Sequence, residues 1–290
     1  MTADRKFQAA IAVARASKSP MERAAAALDP LRYQVFCATY ASMRVIDDFV
    51  DDAFLALPPA ERAAERATAS AVVENWRKAA TDRLATGSLA EDPAGFGDVM
   101  AALEATHAVA KLDPGPWNRL ADAMTRDVEE RPMPDWDAFL AYAEGATAAP
   151  AAVFVEILAL RPGPDGRLES QLEGEAVGRI RNSAILLYLV HIMRDLSEDA
   201  EQGAVLLTLP ATLFAEFGMD AEGFAAQAAD DPALVAKARA AIASYAERFL
   251  LPALAELTAL DRDLGPDDGA VLRGLCAPYI ARYEKFADSL

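Results

Sequence analysis

The stretch YASMRVIDDFVDD, residues 40–52, sets four carboxylates, Asp47, Asp48, Asp51 and Asp52, into six positions of an otherwise apolar, helix-like run. Side chains four apart on a helix share one side, so Tyr40, Arg44, Asp47 or Asp48, and Asp51 fall along a single stripe. Like charges at that spacing destabilise a helix by roughly a few tenths of a kcal/mol per pair. A cation between them removes the repulsion. Hard divalent ions such as Mg²⁺ take oxygen ligands, commonly one or two carboxylates together with phosphate oxygens of a substrate. An Asp-x-x-x-Asp on a helix facing a cavity suits that chemistry. The bland alternative is an acidic helix end turned to solvent, and a second copy of the motif decides between them.

Composition narrows the choices. With 290 residues, 53% of them hydrophobic and 25% charged, the chain can bury a large core and is neither disordered nor fibrous. Its formal net charge of −17 argues against nucleic acid, whose phosphates reward Lys and Arg. An anionic substrate stays compatible with it, because bound metal ions invert the local field. Two cysteines, Cys37 and Cys276, are too few for a disulfide framework and read as buried thiols in a reducing cytoplasm. No apolar run is read as reaching the ~20 residues that span a membrane. Arg5 and Lys6 precede AAIAVARA, which is short for a signal peptide and reads as an amphipathic first helix. The expected location is the cytoplasm.

Ala, Leu, Glu and Arg are plentiful, β-branched runs are few, and no period-2 alternation is sustained, so the fold class is all-α. Prolines and glycines fall between the helical stretches. Helices are expected over residues 3–16, 21–27, 29–54, 60–85, 98–111, 116–129, 135–160, 168–199, 231–260 and 267–289, with shorter ones before 229. Asp135 is expected to cap its helix, Pro150 to kink it, and Pro252 to interrupt the helix at 231–260. With no 20–50 residue repeat and no low-complexity linker, residues 1–290 read as one domain.

The second copy is present. In HIMRDLSED, residues 191–199, His191, Asp195 and Asp199 are spaced i, i+4, i+8, with Tyr188 one turn earlier and Arg194 beside the first aspartate. Two such helices facing each other can hold metal ions between them. The metals grip a diphosphate, balance its charge as it leaves, and an allylic carbocation remains in a cavity that must be apolar to keep water from it.

These motifs resemble those of the squalene/phytoene synthase family, which joins two prenyl diphosphates head to head. Residues 40–51 are similar to its first aspartate-rich motif, arginine included, and RDLSED (194–199) to its second. Ser17, Lys18 and Ser19 resemble an early segment that contacts diphosphate, although they serve equally as a helix stop and cap. YAEGATAAP (142–150) stands where the family has a small-residue helix lining its cavity. Tyr245, Arg282 and Lys285 stand near its late cavity or phosphate-binding residues.

The resemblance implies an isoprenoid-synthase-type helical bundle around a central cavity and an Mg²⁺-dependent transferase working on farnesyl or geranylgeranyl diphosphate. Asp47, Asp48, Asp51, Asp195, Asp199 and His191 would hold metal. Arg44, Arg194, Lys18 and Arg282 would bind diphosphate, while Tyr40, Tyr142, Tyr188, Glu144 and Tyr245 would shape the substrate site. It implies a monomer or homodimer, with room for peripheral membrane contact as product leaves. NADPH is not indicated: no Gly-rich turn follows a strand, yet squalene-forming relatives bind their reductant without one.

Departures from the family pattern qualify the coupling step. Tyr188 and His191 replace its Gln and Asn, and imidazole suits transition metals better than Mg²⁺. Glu144 would set a carboxylate in the cavity. After the second motif, GAVLLTLP (203–210) lacks the usual Arg and Tyr. Two alternatives arise: prenyl transfer to an amine or other non-isoprenoid acceptor, bound by Glu144 and deprotonated by His191, and a non-catalytic binding protein of the same fold. Glu104 and His107 make only half of a di-iron pattern. Trp76, Trp117 and Trp136 read as packing.

Overall fold

The computed structural model describes residues 3–87 and 95–287, with side chains from Lys6 onward. The Arg5 side chain in the amphipathic first helix and most of the loop at 87–97 lie outside that description. The elements are α1 (Ala3–Ala16), α2 (Pro20–Ala25), α3 (Pro30–Asp48), α4 (Pro59–Thr86), α5 (Gly97–Val109), α6 (Gly115–Val128), α7 (Trp136–Ala143) and α8 (Ala149–Leu158). Strands β1 (Leu160–Pro162) and β2 (Leu168–Ser170) come next, then α9 (Ala176–Gln202), α10 (Ala211–Ala215), α11 (Ala221–Ala228), α12 (Pro232–Leu264) and α13 (Pro266–Ala287).

Short polar side chains start the helices. Asp29, Asp135 and Asp231 each accept hydrogen bonds from backbone N–H groups of the first turn, and Pro30 and Pro232 occupy positions where a missing N–H costs nothing. Ser19 caps α2 by accepting from Glu22 N at 3.0 Å. The core then fixes α3. Trp76 of α4 donates from Nε1 to the Ser42 carbonyl at 2.7 Å, and Trp117 of α6 donates to Ser42 Oγ at 2.9 Å. Both rings are fully buried, so each indole N–H has the partner it needs and α3 cannot rotate without losing both.

Two helices change pitch where function is expected. Residues Phe49–Leu55 continue α3 as a π-helical turn, and Glu144–Ala148 make another between α7 and α8. The extra residue per turn rotates the downstream side chains, so the stripe expected from Tyr40 to Asp51 bends after Asp48. Gly145 is required at the second turn, because a Cβ there would lie 2.1 Å from the Arg119 carbonyl oxygen of α6.

Other expectations change as well. The segment 168–175 is not helical: Leu160↔Ser170 and Pro162↔Leu168 pair as an antiparallel β1–β2 hairpin. Pro252 does not interrupt α12, which runs on to Leu264. The stretch Trp136–Leu158 is, by length and composition, apolar enough to cross a membrane, contrary to the sequence reading. Over half of that stretch is buried inside the protein.

Candidate active site

Helices α3, α6, α8, α9 and α13 enclose a cavity of about 330 Å³. Phe36, Met43, Phe154, Ile180, Leu187 and Leu272 give it a predominantly apolar lining. Its polar edge carries Ser19, Arg44 and Asp47 on one side and Tyr188 and His191 of α9 on another, so Asp47 and His191 share one space, while Asp48, Asp51, Asp195 and Asp199 do not line it. Past His191 and Tyr279 the cavity adjoins an open groove of about 980 Å³, lined by Arg23, Arg32, Arg194 and Arg282 with Asp267 and Asp268.

In the first motif, Arg44 pairs with Asp47 at 3.1 Å and also contacts Asp48. Burial, with repulsion from Asp48 and Asp52, pushes Asp47 up to about 6 against the opposing Arg44. Surrounding atoms and then Asp47, Asp127 and Asp52 push Asp51 upward as well. Asp51 itself is open to water, so charge crowding is the sounder cause of that shift.

In the second motif, Arg194 grips Asp195, and its Nη2 also lies 3.0 Å from His191 Nε2. Burial alone would raise Asp195, but the Arg194 hydrogen bonds and the charges of His191 and Arg282 hold it below the usual carboxylate range. Asp199 has no such partner: burial, Asp195 and Glu198 push it up to about 6. Burial and Arg194 lower His191, favouring the neutral imidazole.

Among the described residues, no three His, Cys, Asp or Glu side chains converge at metal-ligand spacing. The donor chemistry nonetheless fits hard divalent ions. Asp47, Asp51 and Asp199 are carboxylates whose ionisation the protein disfavours, which is the excess of negative charge a cation relieves.

The remaining expected residues divide. Tyr40 and Tyr188 line the cavity, Tyr40 stacked on Phe36 with centroids 5.4 Å apart. Ser19 lines it too while capping α2. Ser17 donates to the Ala14 carbonyl as a helix stop, and Lys18 is exposed with φ +50°, its carbonyl accepting from Arg23. Arg282 lines the groove, whereas Lys285 is exposed outside it.

Glu144 does not line the cavity; it pairs with Arg181, because the π turn aims it toward α9. Tyr245 is also absent from the cavity wall. It stacks on Trp136 at 3.6 Å, with the Arg248 guanidinium 3.8 Å from its ring centroid.

Two residues, Tyr279 and Asp127, emerge that motif reading missed, and Thr147 bears out the small-residue segment as cavity wall. Tyr279, on α13, borders both cavity and groove. Thr147, also on the cavity wall, reaches toward the Ala184 carbonyl of α9 at 3.4 Å. Asp127, in the last turn of α6, accepts from Tyr142 Oη at 2.9 Å and is pushed up to about 7 by burial and by Asp47. The dipeptide Arg126-Asp127, echoing Arg194-Asp195, is its only local signal.

Residues 14–281 match the family described as squalene/phytoene synthase. Among solved structures, squalene synthase HpnC from Alicyclobacillus acidocaldarius is 17% identical with a TM-score of 0.66, covering 97% of this chain and 92% of that one. A dehydrosqualene synthase solved in complex with ligand is 15% identical with a TM-score of 0.63, covering 96% of this chain and 84% of that one. No curated protein matches the sequence. Identities this low establish the shared fold alone; the match across residues 14–281 goes further, and as a prenyl-transferring enzyme the chain belongs to the squalene/phytoene synthase family.

Proposed function

We propose that this enzyme ionises farnesyl or geranylgeranyl diphosphate with the help of Mg²⁺ and couples the product head to head with a second prenyl diphosphate. The observation that carries the reading is the junction of an apolar cavity with a cationic groove, both bordered by His191 and Tyr279. The cavity takes a prenyl chain and excludes water. The groove supplies Arg194 and Arg282, and the cavity edge supplies Arg44, for two anionic head groups.

Asp47, Asp48, Asp51, Asp195 and Asp199 would hold the Mg²⁺, with His191 as a nitrogen ligand beside Asp195. The metal, when bound, supplies charge that stabilises the departing diphosphate. Arg44 and Arg194 then exchange their aspartates for diphosphate oxygens, and Tyr40 and Tyr188 present aromatic rings to the cation.

Transfer to an amine loses support, since Glu144 is neutralised by Arg181 away from the cavity lining. A purely binding role is disfavoured because both acidic motifs are intact.

Purified protein incubated with farnesyl and geranylgeranyl diphosphates, with and without Mg²⁺, NADPH and amines, tests this reading by mass spectrometry. Coupled C30 or C40 product that requires Mg²⁺ is expected. Absence of Mg²⁺-dependent diphosphate release, with Asp47→Asn and Asp195→Asn matching wild type, sinks it. A prenylated amine without coupled product promotes the alternative.

A further inference from the structure

Helix α9 carries both a wall of the cavity and the second acidic motif, and α12 runs antiparallel along it, gripping it at two levels with opposite charge. At the first level Glu256 of α12 accepts from the backbone N–H groups of Asn182 and Ser183 at 3.0 and 2.8 Å, and from Ser183 Oγ at 2.9 Å. About three turns further along α9, Arg239 of α12 donates from Nε to the Met193 carbonyl at 2.7 Å. Its Nη2 reaches Ser197 Oγ at 3.3 Å and, most weakly, the Arg194 carbonyl at 3.5 Å. A carboxylate on amides and a guanidinium on carbonyls is the arrangement that caps the two ends of a helix. Here both act on the interior of one. The stripe they bracket, Ser183, Ala184, Leu187, Tyr188 and His191, lines the cavity, and Arg194 follows in the groove.

Apolar packing alone holds the rotation of α9 loosely. Leu186, Leu189, Val190 and Met193 are buried in the cluster shared with α12, and side chains of such similar size repack at modest cost. A slip of one residue turns a helix by about 100° and carries His191 and Arg194 away from cavity and groove. Bonds between a charge and particular backbone groups accept one rotation only. We propose that Glu256 and Arg239 are positioning residues that fix the rotation of α9, so that Tyr188 and His191 meet the cavity and Arg194 the groove. Neither lines cavity or groove, so both act through α9. Only the kinetic consequence rests on the prenyl-coupling reading.

Two measurements test it. The first needs no turnover. Nitroxides attached at Glu65→Cys on α4 and Glu201→Cys on α9, both exposed positions, report the placement of α9 by pulsed electron paramagnetic resonance, while Cys37 and Cys276 are buried away from the label. Wild type is expected to give one narrow distance. Arg239→Met, which keeps the apolar stem, and Glu256→Gln, which loses one acceptor oxygen, are each expected to shift or broaden it, with Arg239→Lys in between. Arg239→Lys, the mildest change, is the variant read if the others do not fold. Distances matching wild type overturn the proposal. Second, turnover of farnesyl diphosphate is followed below the unfolding temperature of each variant. In Arg239→Met and Glu256→Gln, kcat is expected to fall at least about tenfold, the scale on which small misplacements act, and the Mg²⁺ concentration at half-maximal rate to rise. Arg239→Lys should restore part of both. Variants that lose thermal stability but keep the wild-type kcat and Mg²⁺ requirement would reveal a merely structural role and overturn the positioning one. Absence of diphosphate release from wild type would count against prenyl coupling instead, leaving the distance measurement to decide the clamp.

Discussion

Arg194 holds both oxygens of Asp195, with Nε on Oδ1 and Nη2 on Oδ2, each at 2.5 Å. Arg44 instead bridges two carboxylates, with Nη1 on Asp47 and Nη2 on Asp48. Each motif thus carries its own counter-ion, which a metal must displace before the arginine is free for diphosphate. Partly exposed pairs of this kind contribute about 0.2–1 kcal/mol. Replacing Arg194 with Ala is therefore expected to tighten Mn²⁺ or Mg²⁺ binding to the free protein by up to about fivefold, and to weaken diphosphate binding. Calorimetric titration with metal alone, then with metal and diphosphate, checks both signs. Weaker metal binding in the variant would contradict the latch.

The acidic stretch predicts a pH dependence. Asp47 is pushed up to about 6 and Asp127 to about 7, against about 3.9 for an unfolded aspartate. The folded state binds more protons in that window, so the stability these groups contribute is complete below the unfolded value and lost as pH rises through 6 and 7. The net charge of −17 acts in the same direction. In EDTA, Tm is expected to fall between about pH 5 and pH 8, and Mg²⁺ to restore more of it at the higher pH. Asp127→Asn should flatten the slope. Calorimetric scans showing a level Tm would refute this.

Gly145 gives a prediction about packing. The Cβ of Gly145→Ala would meet backbone, which cannot move aside as a side chain can. Overpacking of this kind costs about 1–3 kcal/mol. Chemical denaturation should report that loss, together with slower turnover, since the same π turn carries Ala146 and Thr147 on the cavity wall.

Asp268 gives a prediction about closure. It is buried and accepts from Arg32 Nη1 and Arg161 Nη2, each at 2.8 Å. Removing one partner of a buried pair costs on the order of 3 kcal/mol. Asp268→Ala is expected to lower stability by about that amount, whereas Arg161→Lys should cost less because Arg32 remains. Urea midpoints for the two variants would decide it.

Helices were legible where local chemistry suffices: Asp29-Pro30 and Asp231-Pro232 announce their helices through capping alone. The two acidic motifs were legible because the helical period places their carboxylates. Asp127 was not, because its partner Tyr142 lies fifteen residues away on another helix and only packing brings them together. Tyr245 failed for the converse reason. Its position near the chain's late helices matched the family pattern, but Trp136 and Arg248 sandwich its ring elsewhere. The π turns had no sequence signature at all, and the second of them turned Glu144 away from the cavity.

The wall supplied by α13 bears on how the protein is made. Leu272, Leu275, Cys276 and Tyr279 close the cavity from α13, which follows every other cavity-lining helix in the chain, and Asp268 clamps it to Arg32 and Arg161. Until α13 docks, the emerging chain exposes an apolar trough instead of a cavity. Nascent or truncated forms are thus natural clients for chaperones, and proteolytic loss of α13 would produce a sticky, inactive species.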